Sequence, residues 1–213
     1  RQFTLGDGTV IDFGNDDVHF SRISFVKVLK QQYDIDVFSS SIEDIAAKLK
    51  EHNLEVEKQD NRQRSLDKLW KKYRKTIVGP AFLVDMPTFM QPLAKVQSGN
   101  PELTEQFNLV FAGSEMCKAF SELNDPIDQY QRFLEQQNMR DAGDDEAQMM
   151  DIDYVEALEY AMPPACGLGF SERIFWSLEG VTAREGVPFP QLRTEVDSIT
   201  RSIYPELRFE SNQ

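Results

Sequence analysis

Lys118, Phe120 and Glu122 give the stretch from 107 to 126 its chemical interest, because they recur at every second position. The stretch reads FNLVFAGSEMCKAFSELNDP and predicts two short strands joined by a turn at its Ala-Gly-Ser segment. Alternate strand residues point to the same face, so these three side chains are expected to share a face with Met116. Two interpretations stay open, namely an edge strand with a solvated face or the floor of a polar cavity.

A second candidate for chemistry is the segment CGLGFSER at 166–173. Gly167 and Gly169 carry no Cβ, so a flat ligand or another backbone could approach them closely. The pattern predicts a strand, a turn and then a helix with Arg173 in its first turn. It lacks the full dinucleotide glycine fingerprint and the Gly-Lys-Ser/Thr of a phosphate loop. On its own, such a pattern more often reflects tight strand packing than a binding site.

The composition narrows the classes of function. The net charge of −13 disfavours a nucleic-acid surface on this segment and is compatible with a site for a metal–nucleotide or an amine. His19 and His52 are isolated, so neither a zinc site nor histidine catalysis is expected. Cys117 and Cys166 stand in apolar surroundings and predict two buried thiols in a reducing cytoplasm. No apolar run is long enough for a membrane span, so no membrane partner is expected.

The two candidate stretches belong to an ordered series of motifs between 80 and 193. Through this series the chain resembles the C-terminal half of the catalytic domain of class II lysyl-tRNA synthetases. The motifs are PAFLVDMP and QPLAK (80–95), NPELTEQF (100–107), SELNDP (121–126), DAGDDEA (141–147), ALEYAMPP (157–164), GLGFSER (167–173) and VPFPQLR (187–193). The order of SELNDP, DAGDDEA and ALE followed by two prolines is specific to the lysyl branch. The run LDKLWKKY resembles the helical insertion of that family more loosely.

The resemblance implies a pocket for lysine on the strand that carries SELNDP. Glu122 would face the side-chain ammonium of the substrate, since a carboxylate selects an amine over an uncharged isostere. Phe120 would form a wall of this pocket. Lys118 would lie beside both, either with a role towards the substrate or in a salt bridge to Glu122 or another carboxylate.

The resemblance also implies a nucleotide site. Glu115 would bind the magnesium ion on ATP, and Arg173 would stack on adenine and reach the terminal phosphate. Gly167 and Gly169 would line the adenosine cleft. The implied reaction is attack of the lysine carboxylate on the α-phosphate of ATP to give lysyl-adenylate, followed by transfer to tRNA(Lys). An internal ion-pair network of Glu115, Glu122 and Arg173 is the structural alternative.

The chain departs from the family pattern at two polar positions. Asn108 stands where a second metal-binding glutamate is usual, and Lys118 stands where an asparagine is usual. The third signature motif is also one residue shorter than usual. The first and second motifs and the anticodon-binding barrel are not found, and the chain starts with Arg1, so it is expected to be part of a longer protein and inactive alone. The full-length protein is expected to be a homodimer that contacts tRNA(Lys) largely outside this chain.

Regular alternation along the strand creates a conflict, because it directs Glu115 and Glu122 to opposite faces. The implied roles need both side chains in one site. A β-bulge between Ser114 and Lys118 would resolve the conflict, and bulges are common beside active sites. The sequence therefore predicts a bulge in this segment.

The expected fold class is α+β, with an antiparallel sheet flanked by helices as a partial class II synthetase core. The predicted organisation is a catalytic part at 1–193, which includes a helical insertion at about 21–79, and a tail at 194–213. Its predicted elements are a hairpin at 3–13, helices at 21–33, 39–53, 65–77, 127–142, 153–162 and 171–180, a strand at 81–86, a loop at 87–104 and a weak helix at 197–204. Ser40 and Glu43 are predicted to form a capping box, and 144–146 to begin a helical turn.

Two hypotheses of different classes follow from these observations. The chain is a fragment of a lysine–tRNA ligase, or it is a degenerate, non-catalytic synthetase-like domain used for binding or assembly. Asn108 and Lys118 favour the second hypothesis. A related class II synthetase with another amino-acid specificity is a further alternative.

Overall fold

The computed structural model describes residues 1–14, 20–145, 147–190 and 198–204. The strands are β1 Gln2–Thr4, β2 Val10–Asp12, β3 Ser21–Ser24, β4 Ala81–Val84, β5 Val96–Gln97, β6 Asn100–Thr104, β7 Gln106–Phe111, β8 Ser114–Ser121 and β9 Cys166–Phe170. The helices are α1 Phe25–Tyr33, α2 Ile42–Glu51, α3 Arg62–Arg74, α4 Pro126–Asp141, α5 Ile152–Glu159, α6 Arg173–Glu179, α7 Ala183–Gly186 and α8 Ser198–Ile203. The short α7 was not predicted, and of the predicted tail helix only 198–204 lies within the described residues.

A five-stranded sheet in the order β3-β4-β7-β8-β9 is the central layer. Its β4–β7, β7–β8 and β8–β9 pairs are antiparallel, whereas β3 and β4 are parallel. The α+β class is therefore confirmed, but the expectation of a purely antiparallel sheet is wrong at this edge. Parallel neighbours need a long crossover connection, and here α1, α2 and α3 provide it.

The three helices of this crossover cover one face of the sheet. Their buried apolar side chains form the larger core with residues of β4 and β7. The core includes Phe25, Leu29, Ile45, Leu49, Leu66, Leu69, Trp70, Leu83 and Val110, each at most 1% exposed. The crossover thus positions α3 directly above the strands that carry the candidate residues.

The bounds of two predicted helices need correction. Residues Ser21–Ser24 form β3, and α1 starts only at Phe25 because the Ser24 side chain accepts the backbone N–H of Lys27 as an N-cap. The predicted capping box is wrong by one position. In the structure Ser41 accepts from the backbone of Asp44, whose carboxylate in turn accepts from the Ser41 backbone.

The other predicted elements hold with smaller changes. The opening hairpin is confirmed as β1 paired with β2, the predicted strand at 81–86 as the shorter β4, and the turn at 112–114 as the connection of β7 to β8. Pro126 is the first residue of α4, as expected. The predicted loop at 87–104 is wrong, since it contains a short 3-10 turn and the β5–β6 hairpin.

The acidic segment after α4 also differs from the prediction. Asp144 does not begin a helix, because α5 starts at Ile152. Its carboxylate instead accepts hydrogen bonds from Asn61 at 2.6 Å and from Arg64 at 2.5 Å, both on or next to α3. Glu146 lies outside the described residues. Asp144, which was predicted to stabilise the start of a helix, therefore makes a tertiary contact with the region of α3 instead.

A smaller core lies on the other side of the sheet. Ile11, Phe111, Met116 and Ile174 are buried together, so the β1–β2 hairpin and α6 are packed against the β7–β8 turn. The expectation for the cysteines is half wrong. Cys117 is buried, whereas Cys166 is exposed because it begins β9, the edge strand of the sheet. Within the described ranges, no helix has the length and apolar character to cross a membrane.

Candidate functional site

The helix-facing side of β7, β8 and β9 carries most of the residues singled out from the sequence. In the antiparallel register Asn108 lies opposite Lys118, Lys118 opposite Gly169, and Phe120 opposite Gly167. Directly opposed residues share a face of the sheet, so these side chains and glycines form one continuous surface.

The predicted bulge is present in β8. The register passes from Leu109 opposite Cys117 to Val110 opposite Glu115, which leaves Met116 as the extra residue. Glu115 consequently points to the same face as Lys118, as its implied role requires. The expectation that Met116 shares that face is wrong, because the extra residue directs Met116 into the smaller core.

Glu115 is held by three donors. Its Oε1 atom accepts from Trp70 Nε1 at 2.7 Å and from Arg74 Nη1 at 2.9 Å, both on α3. Its Oε2 atom accepts from Asn108 Nδ2 at 2.6 Å. The side chains of Glu115 and Arg74 are 27% and 23% exposed, so the ion pair is partly shielded from water.

Asn108 is oriented by its neighbours. Its side-chain oxygen accepts from Gln106 Nε2 at 3.0 Å, and its nitrogen faces Glu115. The opposite orientation would bring the amide oxygen against a carboxylate, which accepts hydrogen bonds and cannot donate them when ionised. Asn108 therefore acts as a donor to Glu115.

The side chains of Glu115 and Asn108, as they are arranged, do not fit a magnesium ion. Magnesium requires oxygen ligands in near-octahedral geometry, whereas both oxygens of Glu115 and the oxygen of Asn108 already accept hydrogen bonds. Among the described residues, no group of three or more histidines, cysteines, aspartates and glutamates is placed to hold a metal ion.

Within the described part of the chain, Lys118 forms no salt bridge to Glu122 or to another carboxylate, so the predicted ion pair is not found there. Its Nζ atom donates to Gln91 Oε1 at 2.6 Å and lies 5.4 Å from the centroid of the Phe120 ring. The surrounding protein lowers the pKa of Lys118 by desolvation, and the nearby charge of Glu115 acts in the opposite direction. Lys118 is exposed, but it stands in a concave site where protein atoms displace much of the water.

Glu122 differs from Glu115 in having no partner for its carboxylate among the described residues. It stands at the end of β8, where its backbone N–H donates to Ala165 O at 3.0 Å. A Cβ atom at Gly167 would lie 2.6 Å from Glu122 Oε1, so the carboxylate rests directly over this glycine. Burial raises the pKa of the nearby Tyr154, and the charge of Glu122 adds to that rise.

Arg173 is the first residue of α6 and lies at the bulge. Its Nε atom donates to Ser171 Oγ at 3.1 Å, and its Nη2 atom donates to the backbone oxygen of Glu115 at 3.0 Å. The residue is exposed, so its guanidinium is positioned by these bonds yet open to a ligand. The predicted strand–turn–helix transition is thus confirmed, and it brings Arg173 to Glu115.

Two concave regions border these residues. A cavity of about 180 Å³ is lined by Trp70, Gln91, Asn108, Glu115 and Lys118. A larger groove of about 550 Å³ lies along the apolar residues of the opposite sheet face and reaches Phe120 and Gly167 at its border. The polar candidates thus line the smaller cavity, whereas Glu122 lies outside both.

The sequence interpretation missed Trp70, Arg74 and Gln91. Trp70 and Arg74 are four residues apart on a predicted helix, and this spacing places them on one face. That spacing was a usable local signal, but it could not identify the carboxylate that the two side chains reach across the fold. Gln91 lies just after the unpredicted 3-10 turn and offered no signal.

The sequence of this chain is similar to those of known aminoacyl-tRNA synthetases. Residues 7–193 match the family model described as tRNA synthetases class II (D, K and N). A lysine–tRNA ligase of Thermotoga maritima is 45% identical over 173 residues, which are 80% of this chain and 34% of that protein. Those of Thermosipho melanesiensis and Roseiflexus castenholzii are 42% and 38% identical, and each match covers 87% of this chain and 38% of the relative. The chain thus spans little more than a third of the length of these relatives.

Proposed function

Because the chain belongs to the tRNA synthetases of class II (D, K and N), we propose that it supplies the lysine pocket and the adenosine-binding motif of a lysine–tRNA ligase. The proposed reaction is activation of lysine by ATP to lysyl-adenylate, followed by transfer to tRNA(Lys). The proposed protein is a cytoplasmic homodimer at full length and contacts the tRNA through regions largely outside this chain. Magnesium is proposed to arrive bound to the phosphates of ATP, as their counter-ion.

The observation that carries the proposal is the unpaired carboxylate of Glu122. It has no hydrogen-bond or ion-pair partner among the described residues, although Lys118 lies on the same face. Glu122 is half-buried, so its carboxylate can accept hydrogen bonds from a ligand that the rest of the chain does not contribute. The side-chain ammonium of lysine is a ligand of the right charge, and Phe120 provides an adjacent apolar wall.

In the proposed mechanism the residues bind and orient the reactants. Glu122 holds the ammonium end of lysine, which leaves the α-carboxylate to attack the α-phosphorus of ATP. A carboxylate oxygen forms a bond to this phosphorus while the bond to the leaving pyrophosphate breaks. Arg173 is proposed to stack on adenine, and Gly167 and Gly169 leave room for the adenosine. Such a reaction depends on positioning and charge rather than on acid–base residues.

The experiment that tests this proposal is ATP–pyrophosphate exchange by the full-length protein with a panel of amino acids. Exchange with lysine and not with aspartate or asparagine is the expected result. Exchange with aspartate or asparagine but not with lysine would overturn the lysyl assignment. It would favour instead a related class II synthetase of different specificity.

A second function is favoured by the state of Glu115. This carboxylate is bound by Trp70, Arg74 and Asn108, as expected for a domain whose nucleotide site has become structural. The alternative is therefore a non-catalytic synthetase-like domain used for binding or assembly. Two results together would support this alternative. The protein would show no exchange with any amino acid, and its upstream reading frame would lack both the arginine-bearing second motif and the anticodon barrel.

A further inference from the structure

The position of Arg74 carries an inference about the cation at Glu115. We propose that the Arg74 guanidinium permanently supplies the positive charge at Glu115 and Asn108, so that this pair binds no divalent cation of its own. The inference rests on the proposed function for the identity of the site, but its test does not depend on activity. It assigns to α3 a part of the nucleotide site.

The contacts of Glu115 are the first support. Arg74 Nη1 lies 2.9 Å from Glu115 Oε1, the distance of a charge-assisted hydrogen bond. A divalent ion at the same oxygen would have to displace the guanidinium or lie within a few ångströms of its charge. Two cations so close repel each other strongly in a partly desolvated site.

The indole of Trp70 adds a constraint that is independent of charge. Its Nε1 atom donates to the same oxygen at 2.7 Å, and Trp70 is 1% exposed within the larger core. The neutral indole therefore holds the carboxylate in place beside Arg74, and Arg74 takes the second acceptor position of Oε1. Removal of the indole would require α3 to separate from a core that includes Leu66 and Leu69, which are both fully buried.

Asn108 provides the third support. Its donor nitrogen faces Glu115, and its oxygen is used by Gln106. The pair thus offers one carboxylate whose oxygens both accept hydrogen bonds, where a divalent ion prefers several accessible oxygens. The neutral amide of Asn108 is suited to this position, because the charge of Glu115 is already neutralised by Arg74.

The remaining charges of the cavity act in the same direction. Arg64 is ion-paired with Asp144, and Asp67 with Lys71. The lining itself carries two positive and two negative side chains, and when the ion-pair partners Asp144, Lys71 and Arg74 are counted with them, Lys118 contributes the remaining positive charge. The cavity is therefore poorly suited to a metal cation.

The test is a titration of the full-length protein with Mn²⁺ alone, with unbound Mn²⁺ measured by electron paramagnetic resonance. The Glu115→Gln variant measures the background, which is the Mn²⁺ bound at any other sites of the protein. The wild type is expected to bind no more Mn²⁺ than this background. Arg74→Met is expected to gain one site per chain, with affinity about tenfold or more above background, because the competing charge is removed.

Three further variants make the result specific. Arg74→Lys keeps the charge and should gain no site, which also controls for loss of folding. Lys72→Met removes a charge from the same helix, where Lys72 bonds His52 O instead of Glu115, and should gain no site. The double change of Arg74→Met with Glu115→Gln should lose the gained site.

Two outcomes would overturn the inference. One is a Mn²⁺ site in the wild type that Glu115→Gln removes. The other is a folded Arg74→Met variant that gains no site, since Arg74 would then not be what excludes the ion. Failure of lysine-dependent exchange would count against the proposed function and leave the Mn²⁺ result unaffected.

Discussion

Glu115 lies in β8 and Glu122 directly follows its last residue, yet the surroundings of the two carboxylates are opposite. Glu115 accepts hydrogen bonds from Trp70, Arg74 and Asn108. Glu122 has no such partner among the described residues and lies against a glycine. A carboxylate whose oxygens are satisfied by the protein contributes to stability, whereas an unsatisfied one is available to a ligand. The difference indicates that Glu115 stabilises the fold, whereas Glu122 is available to recognise a ligand.

The strongest test of this contrast is Glu122→Gln. The change keeps the shape and removes the charge that is proposed to bind the lysine ammonium, so kcat/KM for lysine-dependent ATP–pyrophosphate exchange should fall. The loss of a charge-assisted partner is worth about 2 kcal/mol or more, which corresponds to a roughly 30-fold decrease. Glu159→Gln, an exposed change on α5, is the matched control and should leave exchange unchanged. An unaltered kcat/KM in Glu122→Gln would contradict the role of this residue.

The complementary change at the other end is Glu115→Gln, measured by urea unfolding. It weakens the bonds from Arg74 and Trp70, so the free energy of unfolding should fall by about 2 kcal/mol. Glu122→Gln should remain within about 0.5 kcal/mol of the wild type, because its carboxylate has no partner to lose in the described part of the chain. Equal stabilities of the two variants would show that the contrast between the carboxylates has no energetic basis.

A smaller effect is expected from Gly167→Ala. The added Cβ would lie 2.6 Å from Glu122 Oε1, so the carboxylate must move and the KM for lysine should rise. A displacement that costs about 1 kcal/mol raises KM roughly fivefold. Gly79→Ala is the matched control, because an added Cβ there has no heavy atom within 4 Å and the residue is not part of the proposed site. A similar KM in both variants would argue that Glu122 does not depend on Gly167.

The smallest effect concerns Lys118 and pH. Desolvation lowers its pKa in the folded protein below the ordinary value near 10.5, so the unfolded chain binds more protons between the two values. The wild type should therefore gain stability relative to Lys118→Met as pH rises through this window, since deprotonation relieves the cost of a desolvated charge. Unfolding free energies of both proteins along an alkaline pH series measure this. A difference between the two proteins that stays constant with pH would rule out the shift.

The parts of the site that follow local rules were predictable from the sequence. The β7–β8 hairpin, the helix start at Pro126 and the bulge before Lys118 follow from turn chemistry and from the conflict between strand period and role. The contacts of Arg74 with Glu115 were not predictable, because a helical pattern gives the face of a residue and not its partner 41 positions away. The parallel β3 was missed for a similar reason, since its pairing with β4 depends on three intervening helices.

The extra residue in β8 has a further consequence for how this protein can vary. Substitution of Met116 by another apolar residue would leave the pairing register intact, whereas deletion of one residue between Glu115 and Lys118 would restore regular alternation. Glu115 would then turn away from Arg74 and Trp70, although no residue of the site had been altered. Homologues that share this arrangement should therefore differ here in residue type but not in residue number. An alignment gap at this point identifies a protein in which the carboxylate faces the other core.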